Sequence, residues 1–140
     1  MQISARNVLD AVITTLHPST VTTEVGLQLP GGAALVASLS RESCSTLYPG
    51  QAVRLIIKAS SIILLGGPPG SGFSARNQLP GTVVQLEDSP VSTEVGIQLN
   101  THCTLFATIS HGGSQQLGLR PGSPITVAIK ASDVMLSPVA

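Results

Sequence analysis

Charge is scarce in this sequence. Seven basic and seven acidic residues among 140 leave no net charge, which removes the electrostatic footprint of a non-specific nucleic-acid binder. Aromatic side chains are limited to Tyr48, Phe73 and Phe106, so there is no platform on which single-stranded bases could stack. The apolar runs, such as "IILL" at 62–65, are far too short to cross a bilayer. The opening "MQISARN" lacks the basic-then-apolar pattern of a secretory signal. The only two cysteines, Cys44 and Cys103, make neither a disulfide framework nor a metal-ligand spacing and read as reduced thiols. A cytoplasmic protein with no nucleic-acid or membrane partner is expected. His17, His102 and His111 also lack ligand spacing. No Ser-His-Asp or paired-carboxylate set recurs in the chain. The expectation is a binding protein, not an enzyme.

What the sequence does contain, it contains twice. "SARNVLDAVITTLHPSTVTTEVGLQL" (4–29) aligns without gaps to "SARNQLPGTVVQLEDSPVSTEVGIQL" (74–99), and "PGQAVRLIIKASSIILL" (49–65) aligns to "PGSPITVAIKASDVMLS" (121–137). The offset is 70 through Leu47 and Leu117 and 72 afterwards, which places two extra residues near Gly118-Leu119. "GGPPGSG" (66–72) has the composition of a linker, and no Gly-Lys-Ser/Thr follows to make it a phosphate loop. The expected units are therefore 1–65, a linker 66–72, and 73–140. Copies of about 65 residues are marginal alone, so they should pack on each other or on further chains. Within a copy, β-branched residues alternate with polar ones and turn signals recur at short intervals. An all-β fold follows, with one small barrel per copy. The one helical candidate in each copy is short: "SRESCSTL" (40–47) and its counterpart "SHGGSQQLGL".

The duplication singles out a small set of residues. Four of the seven basic residues pair between copies, Arg6 with Arg76 and Lys58 with Lys130, whereas Glu24 and Glu94 are the one recurring acid pair. Ser4/Ser74, Asn7/Asn77, Ser40/Ser110 and Ser60/Ser132 recur beside the cations. Cations, hydroxyls and backbone N–H groups form a donor set suited to an oxyanion. A tetrahedral dianion such as molybdate, tungstate or sulfate fits that set better than phosphate, which keeps a proton near pH 7 and would want an acceptor. Glu24 and Glu94 sit mid-strand in "TEV" and read as structural ion pairs or an exposed face.

These motifs closely resemble the Mop domain of the molbindins, a family of molybdate-binding proteins. The resemblance covers about 4–65 and 74–137 and rests on "SARNQLPG" followed some fifty residues later by "IKAS", with "TEVGIQL" and "LGLRPG" between. It implies two tandem OB-like β-barrels, each with one short helix. It also implies a homotrimer that holds molybdate or tungstate at subunit interfaces, and a role in molybdenum storage and homeostasis. The ligand residues implied are Ser4, Ala5, Arg6, Asn7, Ser40, Ser43, Lys58, Ala59 and Ser60 in the first copy. In the second they are Ser74, Ala75, Arg76, Asn77, Ser110, Lys130, Ala131 and Ser132. No side chain ligates a metal directly. The second copy departs from the pattern at Gly113, where a second hydroxyl is missing, and Gly112-Gly113 are expected to loosen that turn. The strand that often reads "GAVNAEV" in the family is "STVTTEV" and "SPVSTEV" here. A molybdate-sensing module acting through a separate partner is the competing function; an OB module for nucleic acid is opposed by the composition.

Overall fold

In β1 (Asn7–Pro18), β2 (Thr22–Gln28) and β3 (Ala34–Ser40), side chains alternate between core and surface. In "TTEVGLQ" this period of two buries Thr23, Val25 and Leu27 and turns their neighbours outward. The computed structural model describes residues 7–70, 74–100 and 102–139. The first copy continues with β4 (Ala52–Ile57) and β5 (Ile63–Leu65). The second supplies β6 (Asn77–Asp88), β7 (Ser92–Asn100), β8 (Cys103–Ser110), α1 (His111–Leu117), β9 (Pro124–Ile129) and β10 (Met135–Pro138). The all-β fold and the offset of 70 then 72 are both borne out. The strands form two curled half-barrel sheets.

Sheet membership crosses the repeat boundary. The sheet orders are β10-β4-β1-β2-β3 and β5-β9-β6-β7-β8. Each copy therefore gives its last strand to the other: β5 pairs with β9, and β10 pairs with β4. One hydrophobic cluster runs through both copies, from Val25, Leu35 and Leu55 to Val95, Leu105 and Val127. The linker is tied to the second copy, because the Thr126 hydroxyl donates to the Gly67 carbonyl and the Gly70 N–H donates to Gln78.

The copies differ most between their third and fourth strands. The turn expected to be loosened by glycine is the one α-helix among the described residues. The Ser110 hydroxyl caps its start by accepting from the Gly113 N–H at 3.0 Å. Gly118 closes its end in the left-handed conformation, φ 61°. That glycine belongs to the two-residue insertion, so the first copy has no equivalent. There the chain makes only a 3-10 turn at Glu42–Cys44, and the Ser40 and Ser43 hydroxyls bond each other at 2.6 Å. The two extra residues and their αL glycine outweigh the low helix propensity of Gly112 and Gly113.

Candidate functional site

The site is assembled from the asparagine of "SARN" upward. Asn77 is buried at the start of β6, and its side chain behaves as an extra residue of the opposite sheet. It accepts from the Val36 N–H at 2.7 Å and donates to the Val36 carbonyl at 2.8 Å. Asn7 does the same in the first copy, accepting from the Phe106 N–H and donating to the Phe106 carbonyl, each at 2.8 Å. Val36 and Phe106 are equivalent positions on β3 and β8. Each asparagine thus fastens one copy's motif to the other copy's third strand.

That fastening decides what Arg76 meets. Two residues beyond Val36 on β3 is Ser38, and Ser38 lies directly opposite Glu24 on β2. The Arg76 guanidinium reaches this pair and donates to both Glu24 carboxylate oxygens, at 2.8 Å from Nη1 and 2.6 Å from Nη2. The 3-10 turn at Ala131–Asp133, which follows Lys130, packs against the same strand β3. The result is a cavity of about 460 Å³ lined by Glu24, Ser38, Ile63, the "SAR" residues Ser74, Ala75 and Arg76, and the "KAS" residues Lys130, Ala131 and Ser132. Ile63 comes from the exchanged strand β5. The two halves of the motif, some fifty residues apart in sequence, therefore face one space between the sheets.

Its electrostatics are set by three charges. Arg76 and Lys130 oppose Glu24, leaving one net positive charge in the lining. Lys130 forms no ion pair among the described residues. The Arg76 hydrogen bond holds the Glu24 carboxyl below its ordinary range, with the Arg76 and His17 charges adding to it and desolvation acting against it. Arg76 is shifted up in turn, first by its hydrogen bond to Glu24.

Of the residues expected at a site, those of the second copy's "SAR" and "KAS" are brought together. Asn7 and Asn77 have their amides committed to backbone. Ser43 lines a separate recess with Leu39, Thr46 and Leu47, while Ser110 accepts as the α1 cap. In the first copy, Ser4, Ala5 and Arg6 lie outside the described residues. Lys58, Ala59 and Ser60 sit at a 3-10 turn packed against β8, as the equivalent turn packs against β3. Glu24 was read as a structural ion pair or an exposed face. It is an ion pair, and it stands in the cavity. Ser38 was not singled out by the sequence, although the offset of 70 pairs it with a second hydroxyl, Thr108. Among the described residues no cluster of three or more His, Cys, Asp or Glu could hold a metal. Both cysteines are buried and free, and burial pushes the Cys103 thiol up.

The doubled motif has a family counterpart. The model of the TOBE domain matches twice, over residues 3–64 and 74–136. The chain belongs to the TOBE-domain family. Its curated relatives include the molybdenum-pterin-binding protein MopA of Rhodobacter capsulatus, 39% identical over an aligned length of 140 that covers 98% of this chain and 52% of that protein. This chain thus spans about half the length of that relative. The molybdenum-pterin-binding protein 1 of Clostridium pasteurianum matches a single copy: 36% identity over 64 residues, 46% of this chain and 94% of the relative. Among solved structures, the cytoplasmic molybdate-binding protein ModG, crystallised with molybdate bound, superposes with a TM-score of 0.93 at 35% identity and covers 99% of this chain and 100% of its own. The tandem architecture expected from the sequence is that of ModG. No helix among the described residues is long and apolar enough to cross a membrane.

Proposed function

We propose that this TOBE-family chain binds molybdate or tungstate as an oxyanion and serves as a cytoplasmic store for molybdenum homeostasis. The observation that carries the reading is the single cavity onto which Ser74, Arg76, Lys130 and Ser132 converge, in a fold close to that of ModG. Guanidinium, ammonium and hydroxyl groups are the donors a small dianion needs. By the repeat, a second site is assigned to the first-copy equivalents Ser4, Ala5, Arg6, Lys58, Ala59 and Ser60, of which Ser4, Ala5 and Arg6 lie outside the described residues. Ser40, Ser43 and Ser110 lie apart from the cavity in one chain, which agrees with sites completed by neighbouring chains of a homotrimer. The repeats 1–65 and 73–140, joined by 66–72, are read as the two domains, and the cavity draws its lining from both.

Calorimetric titration with molybdate, tungstate, sulfate and phosphate tests the ligand. Molybdate and tungstate are expected to bind and phosphate to bind far more weakly; equal heats for phosphate and molybdate would contradict the reading. Light scattering should give three times the 14.3 kDa chain mass, and a monomer at micromolar concentration would remove the trimer.

A further inference from the structure

Glu24 presents to Arg76 what an oxyanion would present, namely two oxygens sharing a full negative charge. Both are engaged, at 2.8 and 2.6 Å. Such end-on pairing uses one hydrogen of each terminal nitrogen and satisfies the geometry for which arginine is suited. We propose that Glu24 is a built-in competitor for Arg76, holding the guanidinium until an oxyanion takes it and so setting the affinity threshold of the cavity. This rests on the oxyanion reading given above and specifies how that site is tuned.

Three observations carry it. The first is charge. With Glu24 in place, a dianion brings the lining from one net positive to one net negative charge; with Glu24 turned away, the dianion is balanced by Arg76 and Lys130. The second is exposure. The Arg76 and Glu24 side chains are 56% and 39% exposed, so the pair is solvated and separates at small cost. The released carboxylate has somewhere to go, because His17 stands directly opposite Glu24 in the β1–β2 pairing. The third is duplication. Glu24 and Glu94 are the one acid pair that recurs, and Glu94 faces Thr108 on β8 as Glu24 faces Ser38 on β3. On its other side Glu94 faces Glu87 where Glu24 faces His17, so what recurs is the acid and its hydroxyl neighbour, a register better explained by a shared role than by surface solubility.

The test is calorimetric titration of the full chain with molybdate in wild type, Glu24→Gln, Arg76→Ala, the Glu24→Gln/Arg76→Ala double variant, and Asp10→Asn. Glu24→Gln should tighten the class of sites that Arg76→Ala weakens, by about two- to fivefold for an exposed pair. The gain should vanish in the double variant. Asp10→Asn removes the same charge from outside the cavity and should change affinity by less than about twofold. Glu24→Asp keeps the charge but shortens its reach and should fall between wild type and Glu24→Gln; it serves as the second probe if Glu24→Gln folds poorly. Unchanged or weaker binding in Glu24→Gln, with wild-type binding intact, overturns the competitor and makes Glu24 a brace for Arg76. An absence of heat in every protein overturns the oxyanion reading itself, and the competitor with it.

Discussion

The two copies match strand for strand, yet they use the segment between their third and fourth strands differently. In the first copy Ser40 and Ser43 spend their hydroxyls on each other beside a 3-10 turn. In the second, Ser110 spends its hydroxyl on a backbone N–H and starts a helix that Gly118 ends. By contrast, the asparagine clamps at Asn7 and Asn77 are preserved in detail. The difference shows where the duplication is constrained: the clamp that positions the cations has been kept, while the turn beside it has drifted.

The strongest way to break the equivalence is at the clamps. Asn77→Ala leaves the Val36 N–H and carbonyl without their partners, in a partly buried setting. Loss of two such hydrogen bonds should cost about 2–4 kcal/mol. Asn7→Ala should cost at least as much, because Asn7 also donates to the Ile57 carbonyl at 3.1 Å. Urea denaturation followed by circular dichroism checks both. If either variant keeps wild-type stability but loses oxyanion binding, the asparagine serves the ligand directly and not the architecture.

Next in size is the loss of a cation. Arg76→Ala should weaken the second-copy class of sites by about tenfold to a hundredfold, the usual effect of losing hydrogen bonds to a charged group. Lys130→Ala should act on the same class and Lys58→Ala on the other. Folding should survive Arg76→Ala, since the side chain is half exposed. Two-phase isotherms in which only one phase responds to each substitution would establish that the copies bind separately; a uniform response would show that each site draws on both.

These expectations also show what could be read without coordinates. The strands were legible because "TEVGLQL" and "TEVGIQL" alternate cleanly and tolerate one face only. Arg76 and Lys130 were legible because duplication picked them out of seven basic residues. The strand exchange was hidden for the same reason that it works. "IILL" and "VMLS" follow the same "KAS" turn in both copies, so either strand satisfies either sheet edge and the pattern cannot say which it takes. Glu24 and Ser38 enter the cavity through β2–β3 register and the Asn77 clamp, neither of which is a spacing in sequence. The helix in "SHGGSQQLGL" was legible, but its counterpart at 40–47 makes only a 3-10 turn; glycine content within the turn misleads about which copy is the more helical, because the deciding glycine is at the end.

The turn itself gives the next comparison. Ser110→Ala removes a helix cap and should cost about 1 kcal/mol. Gly118→Ala forces a Cβ into the left-handed region and should cost about 1–2 kcal/mol. Ser40→Ala should cost less than either, because the bond it accepts from the Ser43 N–H is long, at 3.3 Å. Thermal unfolding of the three variants ranks them, and an equal loss for Ser40→Ala and Ser110→Ala would mean that the two turns are energetically alike despite their geometry.

The smallest expected effect is in pH dependence. Glu24 has its folded carboxyl held below the ordinary range, chiefly by the hydrogen bond from Arg76, with the Arg76 charge and His17 across the sheet acting in the same direction. A lowered folded pKa means that the pair's contribution is complete above the ordinary carboxylate range and is lost as pH falls through Glu24's own lowered value. Wild type should therefore lose stability on acidification slightly more steeply than Glu24→Gln, with the two profiles converging at the acid end. The difference should be small because both partners are solvated. His17→Gln should narrow it further by removing the second favourable charge, and added salt should narrow it in all three proteins. If Glu24→Gln instead steepens the acid limb, the carboxylate is carrying strain that its charge relieves, and the pair is a fixed part of the sheet junction that an arriving anion would have to leave in place.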